Sequence, residues 1–332
     1  MNSNTEHQKY LAELKLMAEQ AIASWGFTKE SSVSLLNLSE NATYLVKAPN
    51  GEKSILRLHR PNYHSKLSIA SELQWLEALR KQTNIETPVA TRGVSGELIY
   101  LVHSNVIEPR HAVMFEFLPG KEPDADRELS KSFIQLGEIT ALMHQHSKTW
   151  KIPQGFERLE WNLETIFGRN AHWGDWRDAP LVSKQHSEII ERAVEIIKFR
   201  ISQFNQHGDK YGLIHADLRL ANLLVHEGKA SVIDFDDCGF GFYLYDFATA
   251  ISFIETDPLV PEWLEAWKAG YRKKAELSTS DEQEIPTFIM LRRLALLAWV
   301  GSHSETDLAL SMLPHFAADT AKLAKEYIIS YA

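Results

Sequence analysis

One cysteine, Cys238, stands in a chain of 332 residues. That scarcity excludes an internal disulfide and a cysteine-based zinc site, and leaves Cys238 to be read as a small buried thiol. Positive charge is also in deficit. There are 35 Lys and Arg against 44 Asp and Glu, a formal net charge of -9. Binding nucleic acid requires a basic face that displaces counterions, so no nucleic-acid partner is expected. Long apolar runs are missing too. The longest block, residues 294–300, is far shorter than the ~20 apolar residues that a bilayer span needs. Residues 1–9 are polar and hold no apolar signal core, so the expectation is a cytoplasmic protein with no membrane partner. There is no internal repeat and no low-complexity tract. Oligomeric state is not legible.

What is present is ordinary for a folded domain: 44% hydrophobic and 24% charged residues. The length suffices for one large or two modest domains with a real core. Leu11, Leu14, Met17, Ala18 and Ile22 recur at helical spacing and predict a helix over 8–24. Short β patterns follow at 33–38, 43–48 and 54–59. Pro49-Asn50-Gly51 between the last two is a hairpin signal, because Asn-Gly accepts the positive φ of a tight turn. A helix over 65–81 carries Ile69, Leu73, Leu76 and Leu79 on one face, and strands are expected at 97–102 and 112–117. Beyond Pro119-Gly120 the chain reads as helical. Leu129, Phe133, Leu136, Ile139 and Met143 mark one helix and residues 187–204 another. Ser280 and Gln283 are read as a capping box ahead of an apolar helix through 291–300. The pattern predicts a small β-rich part, 1–118, and a larger helical part, 119–332, with the ligand cleft between them.

The densest chemical signal is His215-Ala216-Asp217-Leu218-Arg219-Leu220-Ala221-Asn222, followed by two apolar runs around a turn at Glu227-Gly228-Lys229, and then Asp234-Phe235-Asp236-Asp237. Such a hairpin gathers Asp217, Asn222 and Asp234. Phosphoryl transfer needs that set: a carboxylate that orients a hydroxyl and takes its proton, and oxygen ligands for Mg²⁺.

These motifs resemble the catalytic and metal-binding loops of the protein-kinase superfamily. They are closest to its small-molecule branch, the aminoglycoside-phosphotransferase-like family with its choline-kinase-like, homoserine-kinase-like and hydroxylysine-kinase-like members. The resemblance implies an α+β, bilobal protein-kinase-like fold, with a small antiparallel β-sheet N-lobe and a larger, mainly helical C-lobe. It implies ATP- and Mg²⁺-dependent transfer of the γ-phosphoryl group to a hydroxyl of a small molecule. Asp217 matches the catalytic base, with His215 bracing the loop and Arg219 beside it in the catalytic set. Asn222 and Asp234 match the two metal ligands. Asp246, in Tyr245-Asp246-Phe247, matches an aspartate that hydrogen-bonds the catalytic loop. Asp236 and Asp237 are assigned to substrate or to its surrounding water.

The first part carries the nucleotide side of the resemblance. Arg57 lies mid-strand between Leu56 and Leu58, where kinases keep a phosphate-binding lysine, and Glu72 matches its ion-pair partner. Guanidinium grips phosphate in bidentate fashion, so the departure from lysine is chemically workable; a plain edge-strand arginine is the other reading. The glycine-rich phosphate loop is absent. Residues 38–43 offer instead Ser39, Asn41 and backbone amides for phosphate, or simple turn chemistry. Residues 114–120 match the hinge, where backbone near Glu116 and Leu118 reads adenine.

His144 and His146 are poorly spaced for a shared metal on a helix and are read as packing residues. Trp161, Trp173 and Trp176, near Asp175 and Asp178, fit either recognition of an ammonium group or buried anchors under a loop. Trp263, Trp267 and Tyr271 are read as core or cleft wall. The short interval from Asp234 to Asp246 leaves no room for a peptide-docking activation segment, which favours a small acceptor. Two other readings stand beside this one: a bacterial stress-response-type Ser/Thr protein kinase, and a nucleotide-binding pseudokinase or regulatory module. A metal-dependent hydrolase ranks below both.

Overall fold

Alternating apolar residues in the N-terminal third build one antiparallel sheet in the computed structural model, which describes residues 2–39, 41–123, 129–169, 171–204, 209–304 and 306–331. Helix α1 (Asn2–Ala21) precedes strands β1 (Ser32–Leu38), β2 (Ala42–Lys47) and β3 (Lys53–Leu58). Helix α2 (Lys66–Gln82) separates these from β4 (Ile99–Val102) and β5 (Arg110–Glu116). The sheet order is β1-β2-β3-β5-β4, so β3 is central. The expected turn closes β2 onto β3. Gly51 sits at φ +91°, and Asn50 Oδ1 accepts the Glu52 N–H at 3.0 Å. Ala42, Tyr44 and Val46 face one side of β2 and pack with Leu14, Met17 and Ala18 of α1. Ser65 caps α2 by accepting the Ser68 N–H at 2.9 Å. This first compact unit ends at Pro119 and also takes in Ile152–Glu157. The Glu157 N–H donates to Ser71 Oγ at 2.9 Å, which ties the returning segment to α2.

The second unit comprises Gly120–Lys151 and the chain from Arg158 onward. Its helices are α3 (Ser130–Thr149), α4 (Leu163–Phe167), α5 (Lys184–Phe204), α6 (Tyr243–Ala250), α7 (Val260–Arg272), α8 (Thr279–Ser302), α9 (Asp307–Met312) and α10 (Phe316–Tyr331). Three short strands, β6 (Leu159–Trp161), β7 (Tyr211–Ile214) and β10 (Gly239–Phe242), form a sheet in the order β6-β10-β7. Strands β8 (Leu223–His226) and β9 (Lys229–Val232) make a separate hairpin. Its two-residue turn has Glu227 at φ 49° and Gly228 at φ 79°, the double positive φ that matches strand twist.

Helices α3 and α7 approach closely because a glycine stands on each at the contact. A methyl on Gly137 would run into the Trp267 carbonyl, and one on Gly270 into the Ile134 carbonyl. Trp263, Trp267 and Tyr271 are core residues of this packing, with Phe133 stacked on Trp263 at 5.4 Å between ring centroids. Cys238 is fully buried as a free thiol.

The capping box of α8 differs from the sequence expectation. Ser278 is the cap, accepting the Asp281 N–H at 3.2 Å, while Asp281 Oδ2 accepts the Ser278 N–H at 3.0 Å. Ser280 already lies inside the first turn. An aspartate performs the return bond that the pattern sought from Gln283, two residues further on. The apolar block 294–300 is part of this 24-residue helix. By length and composition alone it is long enough to cross a bilayer, yet 78% of its apolar window is buried within the chain.

Candidate active site

The loop that follows β7 is built around a buried carboxylate. Asp246, in the first turn of α6, is wholly buried. Its Oδ1 accepts the Ala216 N–H at 2.7 Å and its Oδ2 the His215 N–H at 3.2 Å. His144 of α3 adds Nε2 at 3.0 Å to Oδ2, with its Nδ1 3.0 Å from the Tyr271 hydroxyl. Thr249, one turn along α6, accepts the Leu218 N–H at 2.9 Å. These bonds hold Ala216 at φ 66°, a left-handed conformation that costs a residue with a Cβ about 1–2 kcal/mol. His144 therefore packs and braces, as its spacing suggested. The sequence carried no sign that Asp246 would be its partner.

His215 is fully buried, its ring 4.4 Å from that of Phe235. Its Nδ1 accepts the Asp217 N–H at 3.2 Å, and Nε2 lies 3.1 Å from the Ile233 carbonyl. In this arrangement Nδ1 accepts and Nε2 is placed to donate to the Ile233 carbonyl.

Asp217 has both carboxylate oxygens engaged. Oδ2 accepts Asn222 Nδ2 at 2.8 Å and Arg219 Nε at 3.2 Å. Oδ1 accepts Arg292 Nη2 at 2.8 Å. Burial works against the charge, but Arg219, then Arg292, with the Asn222 hydrogen bond, hold the carboxyl below the usual carboxylate range. Arg219 is raised in turn, chiefly by Asp217. Asp217 is thus an ionised, anchored and weakly basic carboxylate. Arg292 comes from α8 and was not picked out in the sequence.

The β8–β9 hairpin brings the metal-type residues together. The Ile233 N–H donates to the Asn222 carbonyl at 2.9 Å and closes the hairpin at its base, setting Asp234 next to Asn222 in the pairing. Asp234 is exposed at φ 61°, a left-handed conformation that aspartate tolerates better than most residues. Asn222 donates its amide twice to Asp217, once to the carboxylate and once to the backbone carbonyl at 2.8 Å. Its side-chain oxygen is thereby left for another partner. An amide oxygen and a carboxylate are the hard donors that Mg²⁺ takes from a protein when phosphates and water complete its shell. No cluster of three His, Cys, Asp or Glu with metal-ligand geometry occurs among the described residues, and none is needed for that mode of binding.

Asp236 is buried and Asp237 half-buried. Their backbone is pinned from β6 and its approach. The Arg158 guanidinium donates to the Cys238 carbonyl at 2.7 Å and to the Asp236 carbonyl, and Trp161 Nε1 donates to the Asp237 carbonyl at 2.8 Å. Trp161, Trp173 and Trp176 are all buried, whereas Asp175 is an exposed cap that pairs with Arg177 at 2.9 Å. The Arg292 guanidinium lies over Trp173 at 5.2 Å and over Tyr245 at 5.8 Å from the ring centroids. Of the three tryptophans, Trp173 thus faces an internal cation.

In the first unit, Arg57 lies on the central strand β3 and is buried, which removes the edge-strand reading. Its Nη2 reaches both oxygens of Glu72 at 2.7 Å, and Glu72 is 1% exposed. The guanidinium also lies 5.1 Å from the Phe115 ring centroid. Ser39 is exposed in the β1–β2 connection, where Glu40 lies outside the described residues. Asn41 is buried, and its Oδ1 accepts the Arg60 N–H at 2.9 Å. Glu116 ends β5 with its N–H donated to the Val89 carbonyl at 2.9 Å; Leu118 stands in the irregular segment beyond.

Against known proteins, residues 34–282 match the description "Phosphotransferase enzyme family". The amicoumacin kinase of Bacillus subtilis (strain 168) is 25% identical over 300 residues, covering 87% of this chain and 85% of that protein. A solved structure described as the microcompartment-associated aminopropanol kinase is 44% identical, with a TM-score of 0.88 over 95% of this chain and 98% of its own. The amicoumacin kinase hAmiN, solved with AMP-PNP, Ca²⁺ and Ami, shares the fold at a TM-score of 0.76 and 22% identity, over 95% of this chain and 96% of its own.

Proposed function

Because this chain belongs to the phosphotransferase enzyme family, a group of protein-kinase-like small-molecule kinases, we propose that its acceptor is a short amino alcohol and that Asp217 receives that acceptor's hydroxyl. The enzyme is an ATP- and divalent-metal-dependent small-molecule kinase. The acceptor class rests on the 44% identity, across 95% of the chain, to a structure named as an aminopropanol kinase.

In the transfer, the acceptor oxygen bonds to the γ-phosphorus of ATP as the bond to the β–γ bridging oxygen breaks. ADP leaves, and the hydroxyl proton passes to the Asp217 carboxylate. The transition state of phosphoryl transfer is loose, so the hydroxyl need not lose its proton early. A weakly basic, firmly oriented carboxylate suits that order of events. Mg²⁺, held by Asn222 and Asp234, would neutralise the β- and γ-phosphates. His215 holds the loop backbone, and Arg219 keeps Asp217 ionised. On the nucleotide side, Arg57, steadied by Glu72, would contact phosphate together with Ser39 and Asn41. The backbone at Glu116 and Leu118 would read adenine. Asp236 and Asp237 remain assigned to the acceptor side, and Asp246 to support of the catalytic loop. The reading keeps a small-molecule acceptor as the partner and a cytoplasmic location, where ATP is plentiful, as an expectation.

The test is ATP consumption against a panel of short amino alcohols, sugars, amino acids and aminoglycosides, with Asp217→Asn as the control of strongly lowered turnover. Phosphorylation of aminopropanol or a close amino alcohol, at least ~10²-fold slower in the variant, is the expected result. Turnover confined to another chemical class overturns the acceptor assignment.

A further inference from the structure

The structure assigns Arg292 as the positioning residue of this site, the group that fixes Asp217 so that Oδ1 is the oxygen offered to the acceptor hydroxyl. This rests on the reading of Asp217 given above. The first observation is the distribution of hydrogen bonds. Oδ2 accepts two, from Asn222 and Arg219, whereas Oδ1 accepts one, from Arg292. A carboxylate oxygen has room for about two donors, so Oδ1 is the oxygen with a place left.

The second observation is how firmly Arg292 is itself held. It is 2% exposed. Nε donates to Ser252 Oγ at 3.0 Å, Nη1 to the Ala216 carbonyl at 3.3 Å and Nη2 to Asp217 at 2.8 Å. Trp173 and Tyr245 lie against the guanidinium, 5.2 and 5.8 Å from their ring centroids, and crowd it from the aromatic side. Arg219 is a different kind of partner. Its side chain is 29% exposed and touches the carboxylate through Nε at 3.2 Å. It supplies charge through a single hydrogen bond. Arg292 also grips the carbonyl of Ala216, the strained residue just before Asp217, so one planar fork fixes both the backbone and the side chain of the base.

The neighbouring Arg293 supplies an internal control. It is equally buried on the same helix, but it pairs with Glu255 at 2.6 Å and donates to Thr320 at 2.8 Å, away from the catalytic loop. The two arginines therefore separate a positioning role from a general role in the core.

The experiment is a kinetic double-mutant cycle, run on the acceptor with the highest turnover in the panel above. Arg292→Met is expected to lower kcat roughly 10²-fold, the usual scale for loss of alignment by about 1 Å, with the KM for ATP little changed. In an Asp217→Asn background the same substitution is expected to lower the residual turnover by less than about twofold, because no carboxylate remains to be positioned. Arg293→Met is expected to lower Tm and to combine additively with Asp217→Asn. If Arg292→Met does not fold, Arg292→Lys, which keeps the charge but loses the fork, is measured in the same cycle. Unchanged kcat in the Arg292 variant, or full additivity with Asp217→Asn, overturns the inference while leaving Asp217 as the base. Full turnover in Asp217→Asn alone instead overturns the reading of Asp217.

Discussion

At the scale of single residues, two carboxylates, Asp217 and Glu72, each meet a guanidinium. Asp217 is ionised because two guanidiniums and an amide outweigh its burial. Asp217→Asn retains the shape and loses the charge, so turnover should fall by at least ~10²-fold, within the range for loss of a general base. Affinity for ATP with Mg²⁺ should hold steady, since the residue is assigned to the acceptor. Turnover assays with calorimetry on the same preparation check both halves. Glu72 is 1% exposed, and Arg57 reaches both of its oxygens. Arg57→Ala would leave that carboxylate buried without its cation, a change that typically costs about 3–5 kcal/mol. The variant should show a clearly lower Tm as well as weaker nucleotide binding; an unchanged melting curve would count against the pairing. Arg57 stood out in the sequence as a charge mid-strand, and the resemblance to kinases supplied Glu72 as its partner. How completely they are buried, and so how costly their separation would be, became visible only in the packed structure.

At the scale of elements, helix contacts carry the loop. Asp246 and Thr249 of α6 hold the backbone at residues 215, 216 and 218, and His144 of α3 buttresses Asp246. α3 in turn packs on α7 through Gly137 and Gly270, with no room for a methyl on either. Gly137→Ala gains intrinsic helix propensity, worth about 1 kcal/mol, but forces the helices apart. Overpacking against backbone costs about 1–3 kcal/mol, so net destabilisation is expected. Thermal denaturation should place Gly137→Ala below the parent, with the loss partly mirrored in turnover because His144 sits on the same helix. A variant as stable as the parent would show that the helices separate freely at this point. The helical stretches themselves were plain from apolar spacing, whereas the cap of α8 was misplaced by two residues. Several Ser, Asp, Glu and Gln stand close together there, and only the backbone path decides which hydroxyl meets which N–H.

At the scale of the whole molecule, the protein is an acidic, 332-residue small-molecule kinase whose second compact unit holds the residues proposed for catalysis and for metal binding. If Asn222 and Asp234 engage ATP through Mg²⁺, the nucleotide should stabilise the protein only when metal is present. At ligand concentrations near one hundred times Kd the gain is about 2.7 kcal/mol, enough for a rise of several degrees in Tm. Differential scanning fluorimetry with ATP and Mg²⁺, then with ATP and EDTA, reads this directly, and an equal shift in both conditions would remove the metal assignment. The sequence by itself determined the strand and helix alternation, the Asn50-Gly51 and Glu227-Gly228 turns, and the reactive run from His215 to Asp237. Each of these is a local pattern, since periodicity, turn chemistry and a short hairpin all act between residues close along the chain. Only the tertiary structure decided what surrounds the base. Arg292 lies 75 residues from Asp217, Arg158 lies 78 from Asp236, and His144 lies 102 from Asp246. No spacing rule links such pairs. A buried arginine on an apolar helix has no sequence signature that separates it from a solvated one, and its partner is chosen by the packing of α8 against α6 around the loop.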